Sequence, residues 1–180
     1  LNGLINYSTY HLNRGRKEYI NYNFELYKIG IESQLFVKKG KISSKTFSNI
    51  ISSGAFLKQF EWVKQFIEDY KTYLDIDERD ELVSINKSNI AFKEGKFKTS
   101  IEYLSTISFN KTLYKLLART LLLKSYFELF INDYTYFDFV LSQSEAFEKF
   151  IRREKNISDT SKSSLLNLIK LVQKLIVEYE

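Results

Sequence analysis

The chain has 180 residues, 44% of them hydrophobic and 16% aromatic, so it is long enough and apolar enough to bury a core and is not a disordered sequence. It has no proline, cysteine or methionine and a single histidine, which excludes disulfides, thiolate chemistry, paired-histidine metal sites and histidine triads with a spare imidazole. The net charge of +5 raises the question of a polyanion partner, but its sign alternates along the chain. Residues 1–45 carry eight cations against three anions and residues 95–124 six against one, while the segments 46–94 and 125–151 are acidic.

With no proline to break them, helices are expected throughout. Leu1, Leu4, Ile5, Ser8 and Leu12 share one face of a first helix over 1–13, closed by Asn13-Arg14-Gly15. Tyr19, Ile20, Phe24, Tyr27, Ile31 and Leu35 predict a long helix over about 17–37, in which Gly30 implies close approach of a neighbouring backbone. Lys38-Lys39-Gly40-Lys41 reads as its stop, with Gly40 near the first position past the helix. Ser43 or Ser44 then caps a helix to about Leu57, and Phe60, Val63, Phe66, Ile67 and Tyr70 mark the next, over 59–74, with Trp62 half-exposed.

The acidic run from Asp75 to Asp80 suits a helix N-terminus better than a cation site, because the spacing of a calcium loop is absent. That helix ends in a turn at Gly95, and Phe97, Ile101, Leu104 and Ile107 open the helix that runs back. Asn110 is expected to cap residues 111–131, which are apolar almost all round and are placed at the centre of the fold. A further helix to about Glu154 follows Asn132-Asp133. Ser158 or Ser161 caps the last, over 158–180, with Leu166, Leu171 and Val177 off its main stripe.

A repeat runs through these elements. Phe60, Phe97 and Tyr134 open successive second helices at a spacing of 37 residues, and Ile67, Leu104 and Leu141 follow each by seven. Ile51, Ser88 and Ser125 precede them by nine. In the clearest unit Ser88 and Ser100 stand at small-residue positions around Gly95, with Phe97 and Leu104 after it.

This pattern resembles the tetratricopeptide repeat family, although its period is longer than that family's 34 residues and the closing proline is missing. The composition is also similar to that of repeat proteins from AT-rich bacteria. The resemblance implies an all-α, right-handed solenoid of antiparallel helix pairs with about nine helices. The expected units are about 1–37, 45–74, 77–107 and 111–154, in one repeat domain that is a fragment of a longer chain. It further implies a non-catalytic interaction scaffold whose groove takes a peptide or partner helix, with no cofactor; separately, no apolar run approaches the roughly 18 residues of a membrane span, so a cytoplasmic protein without a membrane partner is expected. In the family's register the groove positions are Lys45, Ser52, Asn89, Lys93, Arg119 and Tyr126. The alternative partner is nucleic acid, bound through the basic blocks 1–45 and 95–124. No phosphate-binding loop, dinucleotide fingerprint or nucleophile elbow is present, so no enzymatic activity is expected.

Overall fold

A computed structural model describes residues 1–179; residue 180, the end of the expected last helix, lies outside the described residues. The described residues form nine α-helices and two short 3-10 turns, in two compact units that divide at Glu94 and Gly95. Gly95 has a φ of 76°, the left-handed conformation expected at that turn.

The first unit holds α1 (Asn2–Leu12), α2 (Tyr19–Glu32), α3 (Ser44–Phe56), α4 (Phe60–Tyr70) and α5 (Ile76–Lys93), with a 3-10 turn at Lys71–Tyr73. α3 is its hub, packing on α2, α4 and α5. Phe47, Ile50, Ile51, Val63 and Ile67 fill the space around it and are wholly removed from solvent. Gly54 permits the close crossing: a Cβ there would lie 2.4 Å from Val63 Cγ1 and 2.8 Å from Phe24 Cε2.

Cross-helix contacts fix the directions. Lys41–Asp75, Ser44–Glu78 and Ser48–Asn86 advance together along the chain, so α3 and α5 run parallel, side by side. Lys64–Glu94 and Lys87–Glu68 pair in the opposite sense, so α4 and α5 are antiparallel.

α1, α2 and α3 all end in the same motif, in which one N–H bonds to the carbonyl five residues back around a left-handed residue. At the end of α2, Leu35 N–H donates to Gly30 C=O at 2.8 Å and Gln34 N–H to Ile31 C=O at 2.9 Å, around a Gln34 φ of 54°. Gln59 N–H donates to Gly54 C=O and Lys58 N–H to Ala55 C=O around Lys58, whose φ is 58°. Gly15 plays that part after α1.

Helix α2 therefore stops short of the expected residue 37, and Gly40 is not its terminating residue. Instead Lys39 and Gly40, with φ of 51° and 73°, form a two-residue hairpin turn between Lys38 and Lys41, whose backbones exchange both hydrogen bonds. Gly30 is also explained differently from expectation. Its missing Cβ leaves room for side chains, since a Cβ would come within 2.2 Å of the Phe36 ring and 2.8 Å of Leu1, and no backbone atom is among its three nearest neighbours.

The second unit holds α6 (Phe97–Ser105), α7 (Thr112–Asn132), α8 (Phe137–Arg153) and α9 (Asp159–Glu178), with a 3-10 turn at Tyr134–Tyr136. Consecutive helices pack on one another, and Leu123, Phe130, Val140, Phe147, Ile169 and Ile176 form the shared core of α7, α8 and α9. Ser125 Oγ donates to Ser100 Oγ at 3.1 Å where α7 crosses α6, both serines being fully buried. Thus the 37-residue period is realised locally: its aromatics open α4, α6 and the 3-10 turn before α8, and its serines at 88, 100 and 125 are buried.

Two expectations for this unit are corrected. α7 is not buried all round: Leu113 is 61% and Leu117 41% exposed. The residue preceding α7 is Lys111 rather than Asn110, and the Lys111 side chain makes no capping hydrogen bond. On α9, Leu166 packs against the core while Leu171 and Val177 face solvent.

Candidate functional site

An open cavity of about 740 Å³ forms a cleft in the first unit. One wall is the face of α1 carrying Asn2, Ile5, Asn6 and Thr9, and the other is the first turn of α3. Leu35, Phe36 and the Lys38–Lys41 hairpin close one side, and Asp75 and Glu78 also line it. The first turn of α3 forms because Ser43 Oγ accepts the Thr46 N–H at 3.1 Å and donates to Thr46 Oγ1.

Tyr27 and Asn49 share a side-chain hydrogen bond within this lining. Burial pushes the Tyr27 hydroxyl above its ordinary pKa, and that hydrogen bond opposes the shift in part. Lys41 Nζ meets Asp75 Oδ2 at 2.7 Å, and this partner raises the ammonium's pKa. Ser44 bonds to Glu78. Lys38 and Lys45 make no ion pair with any described residue, and the lining as a whole carries three lysines against the carboxylates of Asp75 and Glu78.

The six residues expected to line a groove are distributed over both units. Lys45 lines the cleft, and Ser52, two turns further along α3, is exposed. Asn89, half-buried, and Lys93, exposed, lie one turn apart on α5. Arg119 and Tyr126 belong to the second unit, where both meet α8. The Arg119 guanidinium lies 4.8 Å from the Phe150 ring centre, and Tyr126 stacks on Phe139 with centroids 5.7 Å apart and planes within 4°. Desolvation lowers the Arg119 pKa and raises that of Tyr126. Arg119 also borders a smaller cavity of about 380 Å³, with Lys149, Arg153 and Glu154.

Sequence reasoning missed Asn2, Asn6, Thr9 and Asn49. The first three did carry a signal, since polar residues at steps of four and three on an otherwise apolar helix share one face.

Chemically, the arrangement offers hydrogen-bonding and charged groups. His11 lies against Tyr7, Tyr10 and Tyr19, away from the cleft, and its Nδ1 is buried without a hydrogen-bond partner. Among the described residues no group of three or more His, Cys, Asp or Glu side chains is placed to hold a metal ion. None of the described helices is long and apolar enough to cross a membrane. No protein-family model, curated protein or solved structure matches this chain.

Proposed function

We propose that the chain is a non-catalytic interaction module whose first unit holds an acidic peptide, in extended form, along the cleft between α1 and the start of α3. The observation that carries this reading is the composition of the cleft. Asn2 and Asn6 can donate to and accept from a peptide backbone, Leu35 and Phe36 can receive an apolar side chain, and Lys38 and Lys45 attract a carboxylate. Parallel stacking of α3 on α5 supports the accompanying fold reading, a tetratricopeptide-like, right-handed α-solenoid.

Selection from a random peptide library on the full chain tests it. Acidic sequences should be enriched, and Lys38→Glu with Lys45→Glu should abolish the enrichment at unchanged melting temperature. Peptides without acidic bias, or binding indifferent to that pair, would overturn the assignment.

A further inference from the structure

The α1–α2 hairpin presents a second surface, none of whose aromatic rings lines the cleft. At its centre His11 stacks on Tyr19, with centroids 4.5 Å apart and planes 21° from parallel. Tyr7 and Tyr10 meet His11 edge-on, and Tyr22 meets Tyr19 in the same way. These three outer tyrosines are not core residues: Tyr7 is 58%, Tyr10 49% and Tyr22 63% exposed.

The hairpin beneath them is held by polar bonds. Ser8 Oγ donates to Tyr19 C=O at 2.8 Å and Asn23 Nδ2 to Thr9 Oγ1 at 3.0 Å. The two helices that carry the rings are therefore joined before any ligand arrives, which reduces the ordering cost of binding.

The turn between the helices supplies charge. Arg14, Arg16 and Lys17 stand together, Glu18 is the sole carboxylate among residues 1–24, and none of the three cations forms an ion pair with a described residue. Arg14 lies 4.1 Å from the centre of the Tyr10 ring, and Arg16 acts electrostatically on Tyr7. Flat aromatic faces beside unpaired cations match a polyanion that carries its own aromatic rings. A paired duplex has its bases already stacked and would leave the tyrosines unused.

We propose that the α1–α2 hairpin is a stacking platform for single-stranded nucleic acid, taking bases on the outward faces of Tyr7, Tyr10 and Tyr22 and phosphates at Arg14, Arg16 and Lys17. This surface is independent of the peptide cleft.

Fluorescence anisotropy of a labelled ten-nucleotide oligo-dT or oligo-U, titrated with the full chain, tests it. The single strand should bind more tightly than a duplex of equal length. The log–log dependence of affinity on salt should have a slope near −2, at about 0.7 per neutralised phosphate for three cations. Tyr7→Ser with Tyr10→Ser and Tyr22→Ser should weaken binding at least about tenfold and leave that slope alone. Arg14→Gln with Arg16→Gln should flatten the slope by about 1.4. Because the two variants act on different terms, either suffices if circular dichroism shows the other misfolded. Absence of binding, equal affinity for duplex, equal competition by polyglutamate, or indifference of a folded tyrosine variant would each overturn the proposal.

Discussion

Helices α3 and α7 show how little hydrophobic content alone decides burial. α3 has thirteen residues, five of them serine or threonine, yet Phe47, Ile50, Ile51, Ser53, Gly54 and Ala55 are all buried. α7 has twenty-one and is far richer in leucine, but exposes Leu113 and Leu117. The difference lies in what approaches each helix. Small residues let α2, α4 and α5 crowd onto α3, whereas the N-terminal half of α7 has one face that no element of its own unit covers. Both units have an apolar core and polar cross-contacts: the first joins its helices with Ser48–Asn86, Lys64–Glu94 and Lys87–Glu68, the second with Ser125–Ser100 and Gln173–Ser144.

The largest effect should come from the core of the second unit. Phe147 is 1% exposed and sits among Leu123, Val140 and Ile169, so Phe147→Ala should cost about 3–5 kcal/mol in urea unfolding. Leu117→Ser, on the exposed face of the same unit, should stay within about 0.5 kcal/mol. Equal losses would mean that α7 is enclosed after all and the contrast with α3 is void.

Gly54→Ala probes the other side of the comparison. The added methyl would press on Val63 and Phe24, both in the core, and overpacking of this kind costs about 1–3 kcal/mol. Val63→Ala should recover part of that loss in a double-mutant cycle. If the two effects merely add, the crowding at α3 does not explain the glycine.

These contrasts also explain what could be read from the chain before its structure. Helix starts were legible, because Ser43, Asp75 and Ser158 each accept a backbone N–H as their side chains suggest. So was the 37-residue alternation of aromatics and buried serines. Helix ends were legible where a glycine supplies the left-handed residue, at Gly15 and Gly95, but not after α2 and α3, where Gln34 and Lys58 look like ordinary helix formers. The cleft was hidden for another reason. Its lining comes from α1, the end of α2, a hairpin and α3, and no single periodicity spans segments that only the fold assembles. Of the expected groove residues, Lys45 alone lines it; Arg119 and Tyr126 turn their planar groups onto α8.

Those unusual helix ends yield a smaller effect of opposite sign. Gln34→Gly and Lys58→Gly should each stabilise the chain by about 0.5–1 kcal/mol, because glycine avoids the steric cost of a positive φ. Thermal melts of each variant and of the pair check this. α7 is the built-in control, since it ends at Asp133 with a φ of −154°, so glycine there should bring no gain and should cost the bond from Asp133 to the Thr135 N–H.

The smallest effect concerns the polar seams of the first unit. Glu68 faces both Lys71 and Lys87, and the Lys71 and Lys87 hydrogen bonds lower its pKa from the ordinary carboxylate value to about 2. A carboxyl with a depressed folded-state pKa contributes stability that is present above its unfolded value, near 4.3, and is lost as the pH falls toward 2. The side chain is 46% exposed, so water and salt screen the pairs and the contribution is some tenths of a kcal/mol. Glu68→Gln should remove that share, so that the drop in urea midpoint between pH 6 and pH 3 becomes slightly smaller than in the parent chain. High salt should reduce the difference further. A parent and variant with the same acid response would show that the α4–α5 seam owes nothing to this carboxylate, and that the polar character of the first unit rests on its neutral contacts.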